Sequence, residues 1–380
     1  MWILKASRIR GVGLSWLPSV PLLSDVLAGG SQPGVPDRLF SNGKASISSA
    51  SAASSQTAAI KQLRERTGAP MLDVKKVLAQ CAWDQDAAFT ELRKKGLAAA
   101  SRKTSRTAAE GLVGVSHDAH SAVVVELNSE TDFVARNPKF QALVQSIAEA
   151  AKTAGTSEEG AGGAASGVVS DLESSKLDAP PAGLTAATVG DAVKELAATV
   201  GENVRLRRAF RLESPSGIVA SYLHTSPQPG LGRIAALVAL HTSEPPASSS
   251  ALQDLGSKLA MHIVAARPVA VTREGVPEEA LQREREILRA QAQQSGKPES
   301  VVAKMIEGRL RKFYEDVVLL DQKLVMDESK KVSKLLEEAS REAGSQITVT
   351  GFVRVQVGEG IEKEEKDFAK EVAAQASKSA

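Results

Sequence analysis

The chain has 380 residues, of which 42% are hydrophobic but only 3% aromatic, with 47 Lys and Arg against 45 Asp and Glu for a net charge of +2. That length suits two or three domains with Ala- and Val-rich cores, and near-neutrality gives no reason to expect a nucleic acid or an anionic membrane as partner. The single cysteine, Cys81, excludes an intrachain disulfide and any zinc site built from several thiolates.

Residues 1–55 are rich in Ser, Ala and Gly and carry Lys5, Arg8, Arg10, Arg38 and Lys44 against only Asp25 and Asp37. Trp2, Ile3, Leu4, Ile9, Leu14, Trp16 and Leu17 lie among the early cations. A basic, acid-poor, amphipathic leader reads as an organelle transit peptide; the alternative is a disordered N-terminus. No stretch approaches the roughly 18 apolar residues of a membrane span.

Residues 56–96 read as three short helices. The first follows Ser55, uses Ala59, Ile60 and Leu63, and stops at Gly68. The second starts at Pro70 and spaces Val74, Val77, Leu78 and Cys81 helically. The third is capped by Asp84, buries Ala88 and Leu92, and ends at Gly96. A Ser/Lys/Arg/Ala linker, 97–109, follows.

Residues 110–200 read as a first core subdomain. It holds a Val-rich strand from Ser121 to Leu127, a polar loop from Asn128 to Arg136, and a helix capped by Asn137 with Pro138 in its first turn. Phe140, Leu143, Val144, Ile147, Ala148 and Ala151 share one helical face. The Gly/Ala/Ser/Pro stretch 153–183 reads as a mobile loop or insertion.

The order recurs in a second subdomain, 201–357. Val204–Leu212, Gly217–Leu223 and Arg233–His241 read as strands, and a helix bearing Leu252, Leu255, Leu259 and Ile263 stops before Pro268. Strands followed by a helix, twice, suggest a duplicated α+β unit. Within it, 277–313 reads as a helical hairpin. Leu281 and Leu288 are one heptad apart, Gly296 and Pro298 make the turn, and the return helix carries Val302, Met305, Ile306, Leu310 and Phe313. Such thinly apolar, densely charged helices suggest a projecting coiled coil, the alternative being a helix pair packed on the body. Ile347, Val349, Val353, Val355 and Val357 alternate as in a half-buried strand. Residues 358–380 read as a C-terminal helical module with Phe368 and Val372 on its apolar side.

An enzyme should show convergent acid, base or nucleophile groups. The histidines, His117, His120, His224, His241 and His262, have no zinc-protease spacing; neither a G-x-S-x-G elbow nor a Walker A sequence is present. The pair Gly358 and Gly360 follows a strand and lacks a third glycine, so it reads as a turn. Cys81 falls on an apolar helix face, where a thiol is inert. A binding protein without metal or cofactor is the reading that remains.

Six segments carry a closer resemblance: Leu63-Arg64-Glu65-Arg66-Thr67-Gly68-Ala69 with Met71-Leu72-Asp73 and Lys75-Lys76; Thr131-Asp132-Phe133-Val134-Ala135-Arg136-Asn137; Gly201-Glu202-Asn203 with Arg207-Arg208; Met261-His262-Ile263-Val264-Ala265-Ala266; Ser295-Gly296-Lys297-Pro298 with Glu307-Gly308-Arg309; and Val349-Thr350-Gly351-Phe352-Val353-Arg354 through Gly358-Glu359-Gly360-Ile361-Glu362-Lys363. In this order they resemble the elongation factor Ts family. The resemblance implies an α+β fold with a three-helix module like ubiquitin-associated domains, a core of two related α/β subdomains with antiparallel sheets, a protruding coiled coil, and a C-terminal helical module. Departures include Pro70, Leu72, and Gln322-Lys323-Leu324-Val325 where the family has Q-P-F-V.

The resemblance also implies a guanine-nucleotide exchange factor for elongation factor Tu, without covalent chemistry; the leader with its early arginines points to a mitochondrial matrix, the alternative being a plastid stroma. Asp132 and Phe133 would wedge near the partner's Mg²⁺ site. Val200 would press on its G domain, and His224 would disturb its phosphate loop. Ile60, Leu63, Met71 and Leu72 would dock the N-terminal module, and Phe368 with Val372 the C-terminal helix. Each has a plainer reading: core for Phe133, Val200 and the aliphatic residues, a loop carboxylate for Asp132, a turn for His224. Either a homodimer through the coiled coil or a heterodimer or heterotetramer with Tu would suit the hairpin. The rival functions are a ubiquitin-type or general adaptor, argued from the N-terminal helices, and a nucleic-acid binder, argued from Arg102, Lys103 and Arg106.

Overall fold

The computed structural model describes residues 43–118, 120–154, 165–167, 169–244, 249–293 and 299–362. Most of the expected leader, the hairpin turn at Gly296 and Pro298, and the C-terminal module with Phe368 and Val372 lie outside the described residues. Ser55–Ala380 forms one compact unit, which holds both large sheets and the candidate site.

Three helices come first: α1 (Gly43–Thr67), α2 (Met71–Gln80) and α3 (Gln85–Ser101). Leu63, Val74, Val77, Leu78, Ala88 and Leu92 form their shared core. The helix expected from Ser55 begins upstream at Gly43. Asp84 caps α3 as its side chain suggests, accepting from the N–H groups of Asp86 and Ala87. Gly96 does not end α3. A Cβ there would stand 3.1 Å from the Cβ of Ala198, so this glycine lets α3 lie close against a later helix.

The body has two large antiparallel sheets, packed face to face. Strands β1 (Glu110–His117) and β2 (Ser121–Ser129) form a hairpin. Then come α4 (Asp132–Ala135), α5 (Pro138–Ala151), β3 (Ala165–Gly167), α6 (Val169–Ser174), α7 (Val189–Val200), β4 (Val204–Glu213), β5 (Gly217–His224), β6 (Leu231–Gly232) and β7 (Ile234–Thr242). The first sheet has the order β3-β4-β2-β1-β6. Strand β4, which lies beyond the subdomain division expected at 200, pairs with β2. Two elements without a clear sequence pattern, β1 and α7, complete this half. β1 carries glycines, and Gly114 is needed because α5 lies on it: a Cβ would meet the Val144 side chain at 2.7 Å. α7 starts at the Thr188 cap and ends at Gly201. In the stretch 153–183, expected to be a loop, Leu172 and Leu177 are core residues.

The second half adds α8 (Ser249–Ala266), a helical turn at Arg273–Gly275, α9 (Glu278–Gln293), α10 (Glu299–Val317), β8 (Lys323–Leu324), β9 (Asp327–Lys331), α11 (Val332–Ala343) and β10 (Ile347–Gln356). The second sheet has the order β10-β7-β5. Because side chains alternate along a strand, each sheet faces two ways. Leu112, Val123, Val125 and Leu127 join α5 and α7 in one core. Ala220, Val238, Leu240 and Phe352 join α8 and α11 in another. Val113, Val115, Val124, Leu237, Ala239, Val353 and Val355 fill the space between the sheets. The order of layers is therefore helix, sheet, sheet, helix, and β2 is buried along its whole length.

The hairpin α9–α10 keeps Leu281 and Leu288 inside. A small separate core of Ala270, Val276 and Val318, with Phe313, Tyr314 and Val317 against it, forms its base.

Candidate functional site

The polar loop expected at 128–136 is partly helical. Thr131 has extended backbone and accepts the Val134 N–H on its hydroxyl, which starts the single turn α4. Val134 and Ala135 point into the first core. A four-residue turn then leaves its second residue facing outward, and Phe133 is 77% exposed. Next to it, Asp132 pairs with Arg136 at 2.7 Å.

This turn is fastened by a segment far away in the chain. α7 ends at Gly201, whose φ of +75° is the left-handed value that glycine adopts without strain. The next two residues reach across. The Glu202 carboxylate accepts the Thr131 N–H at 3.0 Å and its hydroxyl at 2.7 Å. Asn203 donates its N–H to Glu130 at 2.6 Å and its side-chain amide to the carbonyls of Arg106 and Thr104. Lys103 donates to the Gly201 carbonyl. The Gly-Glu-Asn segment thus joins the linker, α7, β4 and the α4 turn.

A second junction lies at Glu126, fully buried in β2. It accepts from Arg207 at 3.2 Å, from Arg208, from the Asn128 amide at 3.0 Å and from the Gly358 N–H at 2.8 Å. Gly358 has a φ of +72°, and a Cβ there would lie 2.2 Å from the Ala109 carbonyl oxygen. The G-x-G pair is therefore a structural turn, held by a carboxylate. A lone Glu in a Val-rich strand, with an Arg-Arg pair downstream, was the available signal: a buried charge requires partners.

The other expected residues scatter. Val200 is half-buried at the end of α7, packed on the first core. It also lines a cleft of about 600 Å³ with the N-terminal module. His224 is exposed at the end of β5, its ring Nδ1 3.4 Å from the Tyr222 hydroxyl. In the module, Met71 and Leu72 are 57% and 81% exposed. Ile60 is half-buried, and Leu63 is completely buried in the module's own core, which leaves it no surface for a partner.

The Met261–Ala266 segment holds a buried pair not foreseen. His262 receives the Val325 N–H on Nδ1 at 3.3 Å and faces the Gln322 Oε1 with Nε2 at 2.9 Å. That arrangement needs the neutral ring with its proton on Nε2, and burial lowers its pKa, with the Gln322 bond opposing in part. Partial desolvation lowers the pKa of His117 as well, though its ring stays exposed at the end of β1, its Nε2 2.8 Å from Ser221 Oγ across the two sheets.

A sequence model of the family described as Elongation factor TS matches residues 130–359, which runs from the fastened turn to the glycine turn. A protein of Rhodospirillum rubrum named Elongation factor Ts is 49% identical over 321 residues, covering 84% of this chain and 98% of that protein. One of Zea mays named Elongation factor Ts, mitochondrial, is 49% identical over 324 residues, 84% of each. Another with that name, from Ricinus communis, is 45% identical over 336 residues, 86% of this chain and 87% of its own length.

Proposed function

Because this chain belongs to the elongation factor Ts family, we propose that it is the guanine-nucleotide exchange factor of an organellar elongation factor Tu. It performs no covalent chemistry. It binds Tu carrying GDP, disturbs the partner's Mg²⁺ and phosphate contacts, and leaves when GTP binds. Relatives named mitochondrial support an organelle, and the basic leader favours the mitochondrial matrix over the plastid stroma.

The observation that carries this reading is the exposure of Phe133. Leaving a phenyl ring in water gives up about 1.5–3 kcal/mol of burial, and its neighbours Val134 and Ala135 are tucked inside. A ring displayed on a fastened turn has the character of an interface anchor. Exchange then follows from linkage. If the factor binds nucleotide-free Tu more tightly than Tu with GDP, GDP dissociates more readily from the complex, and nucleotide expels the factor by the same free energy. Asp132 brings a carboxylate to where the partner's metal coordination is being lost, and Val200, His224, Met71, Leu72 and Phe368 supply the surrounding contacts.

The test is release of a fluorescent GDP analogue from purified Tu, with the full chain and with Phe133→Ala. Acceleration by the parent and its loss in the variant are expected. A parent without effect on an active cognate Tu would refute the proposal and favour an adaptor role.

A further inference from the structure

We infer that Glu202 is the positioning residue of the exchange wedge: acting through Thr131, it fixes the direction in which Phe133 is presented. The inference rests on the exchange reading above. It arises because Thr131 is used to capacity. Its N–H and its hydroxyl proton both go to the two oxygens of Glu202, at 3.0 and 2.7 Å. The same hydroxyl oxygen accepts the Val134 N–H that begins α4. Its carbonyl accepts the Ser129 hydroxyl at 2.9 Å. With the hydroxyl proton committed to Glu202, the lone pairs face Val134, so the carboxylate selects the rotamer that caps the turn.

A four-residue helix has too few internal hydrogen bonds to hold itself. Its direction must come from outside, and its buried apolar anchors, Val134 and Ala135, lie on the face away from Phe133. Glu202 supplies the other restraint. It is itself placed by the left-handed Gly201 before it and by Asn203 after it, whose N–H is held by Glu130. The bonds run in a closed loop, Glu130 to Asn203 and Glu202 back to Thr131, so sliding β4 against the turn would break both ends together.

Glu202 commits both of its oxygens to Thr131. Its removal should leave the encounter intact and spoil the alignment on which release depends, and misplacement by about 1 Å can lower a rate up to about 100-fold. The experiment measures GDP-analogue release from Tu over a range of factor concentrations, separating the maximal rate from the half-saturating concentration. Full-length parent, Glu202→Ala, Thr131→Val, Thr131→Ser, Phe133→Ala and the double variant Glu202→Ala/Phe133→Ala are compared. The expected result is a fall of about tenfold in maximal rate for Glu202→Ala and Thr131→Val, with half-saturation changed less than about threefold. Thr131→Ser keeps every hydrogen bond and should stay within about twofold of the parent. Once Phe133 is alanine, removing Glu202 should cost much less than it does in the parent, the remainder being the displacement of Asp132 on the same turn. Amide exchange at Val134, measured without Tu, should quicken in Glu202→Ala, and this readout keeps the test open if a variant is too inactive to titrate. Independent, multiplying losses in the double variant, or unaltered Val134 protection, would overturn the inference while leaving the exchange reading in place. A parent that fails to release GDP overturns both.

Discussion

Glu126 offers the sharpest test of how this body is held. Substituting leucine keeps the volume and removes the acceptor of four donor residues. The losses are unequal. Asn128 retains the Glu110 carbonyl at 3.1 Å, Arg207 retains the Glu359 carbonyl and Arg208 that of Gln356. Both guanidiniums are about a quarter exposed and can turn to water. The Gly358 N–H loses its carboxylate acceptor outright. Breaking a buried ion pair from one side costs about 3–5 kcal/mol, and the surviving bonds place this case near the lower end. Glu126→Leu should therefore lose about 3 kcal/mol in urea unfolding followed by circular dichroism. Glu126→Gln, which keeps one acceptor, should lose about 2 kcal/mol. Adding Arg207→Met and Arg208→Met to the leucine variant should recover at least half of its loss, because no charge then lies uncompensated. A loss below about 1 kcal/mol for Glu126→Leu would refute the view that this carboxylate joins the end of β10 to the first sheet.

The remaining tests concern the N-terminal module, the α3–α7 contact and pH. Leu63→Ala should destabilise the three-helix module by about 2–5 kcal/mol, whereas Leu72→Ala should change stability by less than about 0.5 kcal/mol and weaken binding to Tu; denaturation and a binding titration separate the two. Gly96→Leu should push α3 from α7 at about 1–3 kcal/mol, seen as faster proteolysis in the linker 102–109. For His262 the folded pKa lies below its ordinary value of 6.5, so the unfolded chain binds more protons. Its contribution is complete above about pH 6.5 and is lost as pH falls through the depressed folded value. A stability–pH curve should drop there, and less steeply in His262→Gln; equal slopes would remove His262 as a cause, leaving His117, which shifts in the same direction.

Much of this arrangement could be read from residue types. The Val-rich β2, the amphipathic α5 and α8, the alternating β10 and the charged hairpin each show a pattern that one physical rule decodes. Two of the misses share a cause: glycines whose purpose lies elsewhere in the chain. Gly114 makes β1 look like a loop, though α5 requires its bare backbone; Gly96 resembles a helix stop, though α7 requires it. α7 was hidden in the Ala- and Gly-rich run around it, despite Thr188 and Gly201 at its ends. At the site, the sequence could point to Phe133 only through resemblance, since its exposure depends on a turn whose restraint, Glu202, is 71 positions away. Nor could periodicity tell the buried Leu63 from the exposed Leu72, as both belong to short apolar sets in one module.

The intersheet layer also sets an order on the protein's birth. It draws on Val113 near its start and Val357 near its end, and the β1–β2 hairpin waits for β4 and β6 before its two edges are covered. A chain emerging residue by residue, from a ribosome or a translocation pore, holds the β1–β2 hairpin with one apolar face unmatched until β5 and β7, with Val219, Leu237 and Ala239, have appeared about a hundred residues later. The interval is a window for association with holding chaperones, and a message truncated before β10 would yield a product that leaves the β7 edge unpaired and the part of the layer filled by Val353, Val355 and Val357 empty. Premature termination late in this chain is therefore a lesion of solubility before it is one of activity.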